Sequence, residues 1–339
     1  MTNQSSQNIK CLSVVGYNYS MEIGFFAFNS SSGISMVEKS KSEWIANYEN
    51  TTWLLNLLEK TKRFPYLLLP ISRWVGSGNN KVTGDAIEST SLASILLAQS
   101  QKTKIFSTVH TFSHLPETVA HTAVFLNETF HNRYAINLVC GWKEDEIKYF
   151  NIENWDFEKR YEVAEQWVTR FRSAEKQYSQ IRGCKIKTSI INAAFSKEGR
   201  NFAEKNVDYL FTTIPSNFNV DEKNNNLKDK YVAATLFFET DMENAISKYE
   251  NILKISDKDA ALDFAKAIKK SDKIKGNMYL SNQPMVMTGS GLPAIIVDEV
   301  KLLSLIKYLE ENKCKGFAIN LNNYFDAKQI VESLENKLK

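Results

Sequence analysis

"TKIFSTVHTFSHLPETVAHTAVFLNETFHNRYAINLVCGW", residues 103–142, contains one complete strand–helix–strand unit. Residues 103–110 read as a strand, rich in β-branched and aromatic side chains. Residues 116–130 have helical spacing and open on a proline, whose missing N–H costs nothing in a first helical turn. Residues 133–142 are a strand again; it ends at Cys140-Gly141-Trp142, where the chain turns acidic. A strand that alternates with a helix in this way belongs to a parallel sheet.

The same alternation continues in both directions. Further strands are expected at 21–28, 65–72, 184–195, 207–214, 230–240 and 315–321. Helical patterns fill 48–63, 88–101, 158–176, 196–206 and 242–254, part of 292–313, and the stretch from Asp326 onward. Eight strands, nearly all separated by helices, predict an α/β fold: a closed (β/α)8 TIM barrel with insertion segments. An open, doubly wound sheet is the competitor, because counting strands does not show closure. Stretches 143–157, 217–230 and 256–291 read as irregular. The expected organisation is a polar segment over 1–20, then one barrel domain over 21–339 with a lid at 256–291.

Composition narrows the function. With 43% apolar and 24% charged residues, the chain is globular rather than disordered. A net charge of +3 makes no electrostatic case for nucleic acid or an anionic membrane. Four widely spaced cysteines without a CxxC pair point to reduced thiols. The polar start "MTNQSSQNIK" has no apolar signal core and no apolar run reaches membrane-spanning length, so a cytoplasmic protein is expected.

In a barrel, chemistry sits where strands end. Those ends carry Ile71-Ser72-Arg73-Trp74, His110 with His114, Cys140-Gly141-Trp142 with Glu146, and Ala193-Ala194 leading to Ser196. His110 and His114 at i, i+4 would suit a metal only on a helix, and this is a strand end, so no metal is expected. One of them as a hydrogen-bonding pocket group competes evenly with plain packing. Ser196 opens a helix, where free N–H groups bind phosphate, but an ordinary N-cap serine is the better reading on spacing alone. Neither GxGxxG, nor a P-loop, nor GxSxG is present. Cys140, at a buried strand end, reads as structural rather than nucleophilic.

The run through "NLVCGWKEDE" resembles the bacterial luciferase-like, FMN-dependent monooxygenases, in the branch that holds pyrimidine, dimethylsulfone and alkanesulfonate monooxygenases. The family pattern GxNxVxGW followed by a glutamate is kept in Asn137, Val139, Gly141, Trp142 and Glu146, and Arg133 precedes it. An RY pair follows as Arg160 and Tyr161; "LLPISRWVGSG" matches the second strand end, and "AAFSKEG" the phosphate turn, with Ala194 in place of a glycine. The helix before Arg133 lacks the family's TID triplet.

The resemblance implies FMN, bound as FMNH2, with Ile71 and Ser72 against the flavin and Asn137 at its polar edge. It implies Glu146 at the ribityl chain or orienting Arg160, and Arg160, Tyr161 and Ser196 at the phosphate. Trp74 and Trp142 would wall the substrate pocket, and His110 and His114 would orient substrate or move a proton. It further implies O2 and a small substrate (an organosulfur compound or N-heterocycle), a separate NAD(P)H-dependent flavin reductase, and a homodimer or homotetramer. The alternatives are a barrel that binds flavin without catalysis and a deazaflavin-dependent oxidoreductase.

Overall fold

The computed structural model describes residues 19–31, 33–153, 155–194, 196–214, 227–272, 292–320 and 324–337. Nearly all of the expected N-terminal segment, and positions 273–291 of the expected lid, lie outside them. Among the described residues the strands are β1 (Glu22–Phe26), β2 (Tyr66–Leu69), β3 (Lys104–His110), β4 (Tyr134–Val139), β5 (Ser189–Ala193), β6 (Tyr209–Thr213), β7 (Tyr231–Phe238), β8 (Ala294–Val297) and β9 (Gly316–Asn320). The helices are α1 (Tyr48–Glu59), α2 (Ser89–Gln99), α3 (Pro116–Thr129), α4 (Glu144–Tyr149), α5 (Arg160–Arg182), α6 (Lys197–Asn206), α7 (Met242–Ile255), α8 (Lys258–Asp272), α9 (Glu299–Glu311) and α10 (Tyr324–Lys337).

All strand pairs are parallel, and the sheet closes. β1 through β6 pair in sequence order, β6 joins β7, β7 joins β9 and β9 returns to β1. The expected barrel is therefore the observed one, and the open sheet is excluded. β8 is additional: it pairs with Thr235–Phe238 at the far end of β7, while β9 pairs with Tyr231–Thr235. The sequence reading merged this short strand into the helix that follows it. Two of the stretches read as irregular also carry helices, α4 and α8.

Period-two alternation sorts each strand between two cores. Leu67, Leu69, Phe106, Ala135, Ile191, Phe211, Ala233 and Ala318 pack inside the barrel. Tyr66, Leu68, Ile105, Ile136, Leu138, Ile190 and Phe317 face the helices. At the N-terminal end of the barrel, Glu22 accepts from the Tyr231 hydroxyl (2.6 Å) and from Lys104 Nζ (3.0 Å). That buried network plugs the end opposite the site.

No described helix is long and apolar enough to cross a membrane. Gly24 marks the tightest contact between β1 and β2, since a Cβ there would lie 1.7 Å from the Leu67 carbonyl oxygen. The obstacle is backbone and cannot rotate away. Gly24→Ala is expected to lower unfolding stability by about 3 kcal/mol, the upper range of overpacking costs, read as a reduced urea midpoint. A midpoint equal to wild type would show that β1 and β2 can separate without cost.

Candidate active site

At the C-terminal end of the barrel lies a cavity of about 170 Å³. One water needs about 10–15 Å³ on the same measure, so this is space for a ligand. The inward positions of β3 and β4 reach it. Phe106, Thr108 and His110 alternate on one face of β3, and Ala135, Asn137 and Val139 on one face of β4. Each series begins with an apolar residue in the barrel core and reaches polar groups at the cavity: Thr108, His110 and Asn137 all line it.

Hydrogen bonds fix this wall. Ser72 Oγ donates to the Thr108 carbonyl (2.6 Å), and Asn137 Nδ2 donates to Thr108 Oγ1 (3.0 Å). Asn137 Oδ1 is buried with no partner among the described residues. Ile71 also lines the cavity, with its backbone held from behind: its N–H donates to Asn29 Oδ1 (2.8 Å), and its carbonyl accepts from Asn29 Nδ2 (2.7 Å). Asn29 thereby fixes the Ile71 backbone at the cavity edge. His110 Nδ1 is buried and without a partner among the described residues. Burial pushes this imidazole well below its ordinary pKa, and the nearby His114 and Arg73 act in the same direction. It is a neutral base at physiological pH.

Opposite lies the start of α5. Arg160 and Tyr161 both line the cavity, with the guanidinium 4.5 Å from the Tyr161 ring centroid. The Tyr161 hydroxyl is 3.2 Å from Ser196 Oγ, which caps α6 by accepting from the Gly199 N–H (3.0 Å). A Cβ on Gly199 would lie 2.5 Å from that Tyr161 oxygen and 2.8 Å from Ala194 Cβ. The corner is a close cradle that only glycine leaves open. The first-turn N–H groups of Lys197 and Glu198 have no carbonyl partner within the helix.

The mouth is built from charges and rings. Arg73 lies over Trp142 (4.7 Å), and both line the cavity. Arg73 Nη1 approaches Glu146 Oε1 at 3.4 Å, with side-chain exposures of 8% and 1%. Lys143 is buried too: its ammonium donates to the carbonyls of Val75 (2.9 Å) and Gly76 (3.2 Å) and to Ser77 Oγ (3.0 Å). Above this loop sits α8, where Asp263 accepts from the Gly78 N–H (3.2 Å) and Phe264 packs on Trp142 at 5.0 Å. Phe264 lines the cavity.

Four expected positions need correction. Trp74 does not line the cavity; it stands behind His110 (ring centroids 4.9 Å apart) and packs on Phe150. His114 lies with Trp74 and Glu88 in a separate recess, because the chain turns after β3 and the His114 N–H bonds back to the His110 carbonyl. Glu146 does not line the cavity; its carboxylate meets Arg73 and the Trp74 N–H (3.3 Å), not Arg160. Ser196 is buried beneath Tyr161 as a helix cap. Strand-end position predicts height on the barrel, whereas loop direction decides which residues face inward. Cys140 lines the cavity, but burial pushes its thiol up to about 12, as a structural cysteine requires. Thr108 was legible from period two, lying two residues before His110. Phe264 was not, because its helix was read as irregular. Arg73 was noted at its strand end without a role.

A parallel (β/α)8 barrel with a ligand-sized cavity at the strand C-termini defines the class. The luciferase-like monooxygenase family model matches residues 37–218, more than half of the chain. The chain belongs to that family. It is similar to pyrimidine monooxygenase RutA of Caulobacter sp. (strain K31), 26% identical over 211 residues, covering 56% of this chain and 58% of the relative. The chain thus spans little more than half the length of the curated relatives it matches. By fold it is similar to riboflavin lyase (RcaE) with modified FMN and riboflavin, TM-score 0.69 at 13% identity, covering 93% of this chain and 90% of that one. EDTA monooxygenase (EmoA) from Chelativorans sp. BNC1 matches with TM-score 0.65 at 12% identity, over 94% and 92% of the two chains.

The depressed His110 pKa has a consequence for stability. Below about pH 6.5 the unfolded imidazole takes a proton that the folded one refuses, so stability falls as pH drops. His114 is shifted in the same direction by burial. Wild-type stability is expected to decline between pH 7 and 5 by up to about 1.4 kcal/mol per pH unit more steeply than that of His110→Gln. Parallel curves from urea titrations would contradict the buried neutral histidine.

Proposed function

We propose that this chain is a reduced-flavin-dependent monooxygenase that binds FMN in the barrel-end cavity. The observation that carries the reading is Asn137 Oδ1, an acceptor buried on the cavity wall without a partner. Leaving a buried acceptor unpaired costs about 1–3 kcal/mol, so it calls for a donor from a ligand. An isoalloxazine edge supplies N–H donors of this kind. The cradle formed by Tyr161, Ala194 and Gly199 supports the same reading at the phosphate end.

Asn137 would bond the ring edge and Ile71 would pack against the ring. Arg160 and the first turn of α6 would take the phosphate, combining a guanidinium with N–H donors and the helix dipole. Ser196 acts indirectly, holding that turn in shape. Bound reduced flavin supplies the electrons that activate O2. Around it, His110 is the neutral base placed to accept or return a proton at Nδ1, and Trp142 and Phe264 exclude water. The described part of the expected lid is α8, which is latched to the loop beneath by the Asp263 contact with Gly78 and by Asn80 donating to Asp257 (2.8 Å). The substrate is a small organosulfur compound or N-heterocycle, the reductant is delivered by a separate NAD(P)H-dependent reductase, and the chain self-associates as a dimer or tetramer. These three points rest on the family resemblance.

Anaerobic fluorescence titration tests the flavin reading. Asn137→Ala is expected to weaken FMN and riboflavin equally, by about three- to tenfold for one hydrogen bond. Ser196→Ala is expected to weaken FMN about fivefold, the worth of an N-cap, and to leave riboflavin unchanged. Equal loss of both flavins in Ser196→Ala would remove the phosphate from α6. If flavin binds but substrate oxidation never accompanies O2 uptake with a reductase present, the chain is a flavin-binding barrel without catalysis.

A further inference from the structure

Behind the cavity wall lies a second space. A recess of about 340 Å³, larger than the cavity itself, opens between α2 and α3. Its lining includes Glu88 and Thr118, both exposed, with His114 and Thr122, so it is open to solvent and polar enough to hold water. Trp74 lines this recess but not the cavity, whereas His110 lines the cavity but not the recess. The two ring centroids are 4.9 Å apart with the planes at 75°. Phe112 covers another part of the imidazole at 5.0 Å. Contacts outside the cavity hold the indole in place: Phe150 packs on it at 4.8 Å, and the Trp74 backbone N–H donates to Glu146 Oε1 (3.3 Å).

The indole decides the surroundings of His110. Burial is the largest cause of the lowered imidazole pKa and outweighs the opposing hydrogen bond to the Ser72 backbone; on the recess side that burial comes from Trp74. Recess water in contact with the ring would solvate an imidazolium and remove this cause. A base kept dry also exchanges its proton with a ligand rather than with bulk water. We propose that Trp74 is a positioning residue: its indole closes the cavity against the recess, so that His110 meets the ligand and not solvent. Because Trp74 does not line the cavity, it acts through His110. The proton-accepting role of His110 rests on the cavity being the monooxygenase site proposed above. The closure does not, and it is read without flavin.

Nuclear magnetic resonance of the full chain, with histidines labelled at Cε1, tests this by pH titration. The chain has four histidines, and His110→Gln assigns the signal. In wild type the His110 midpoint is expected well below the ordinary value of about 6.5. Trp74→Ala is expected to move it up by about one pH unit or more, part of the three to five that full desolvation produces. Trp74→Leu fills more of the space, serves where alanine fails to fold, and is expected to move the midpoint part of the way. Trp74→Phe is expected to keep it near wild type, because a ring again closes the wall. Arg73 and His114 act on His110 directly, Glu88 acts on His114 across the recess, and Cys140, Arg160 and Tyr161 share the cavity wall. All are retained in the three variants, so a moved midpoint reports water rather than a changed charge. Thermal unfolding confirms that each variant is folded. An unmoved midpoint in folded Trp74→Ala or Trp74→Leu, an equal move in Trp74→Phe, or a wild-type midpoint near 6.5 would each overturn the proposal. FMN affinity is read by fluorescence in the same samples. A moved midpoint in a protein that does not bind FMN would sink the flavin reading alone and leave the closure standing.

Discussion

A strand side chain and the one two residues along it share a face, and in a closed barrel one of the two faces is the interior. The candidate site depends on that constraint. Phe106 and Ala135 fill the barrel core, so Thr108 and Asn137 must point inward one layer higher, and His110 higher still. The wall is preorganised because Ser72, Thr108 and Asn137 satisfy one another and leave Asn137 Oδ1 over, with His110 Nδ1 above it also without a partner among the described residues. A one-residue slip of β4 would instead direct Asn137 at the helices, where a buried amide has no ligand to meet.

The mouth adds a second constraint, buried charge. Lys143 is desolvated and its pKa is lowered by burial and by Arg73, but two carbonyls, a hydroxyl and Asp263 solvate it in place of water. Such a group contributes little net stability and a great deal of geometry, because any movement of the 75–77 loop leaves an ammonium without partners. Arg73 and Glu146 do the same at the next position. Loop, α4 and α8 are thus tied together around Trp142.

The fold was largely legible in the sequence because the eight barrel strands are apolar runs, nearly all separated by helical spacing. β8 escaped because four residues before a helix, "AIIV", carry no periodicity of their own. α8 escaped because its stretch was taken as irregular, although "KDAALDFAKAIKK" is helical and packs Ala260, Ala261 and Phe264 against Met36 and Val82. In the site, His110 followed from its place at a strand end, while Asn137, Arg160 and Tyr161 came from the family motif. Glu146, Trp74 and His114 went astray because they follow strand ends, where the backbone turns and phase no longer applies. That Arg73 lines the cavity and lies over Trp142 is visible only in the structure.

The central claim is that the cavity between Asn137 and α6 is a flavin site. A crystal structure of the full chain grown or soaked with FMN tests it most directly. The account predicts the isoalloxazine edge within hydrogen-bonding distance of Asn137 Oδ1 and the phosphate at Arg160 and the first-turn N–H groups of α6. A fully soaked crystal with this cavity free of FMN, or with FMN bound elsewhere, would contradict it.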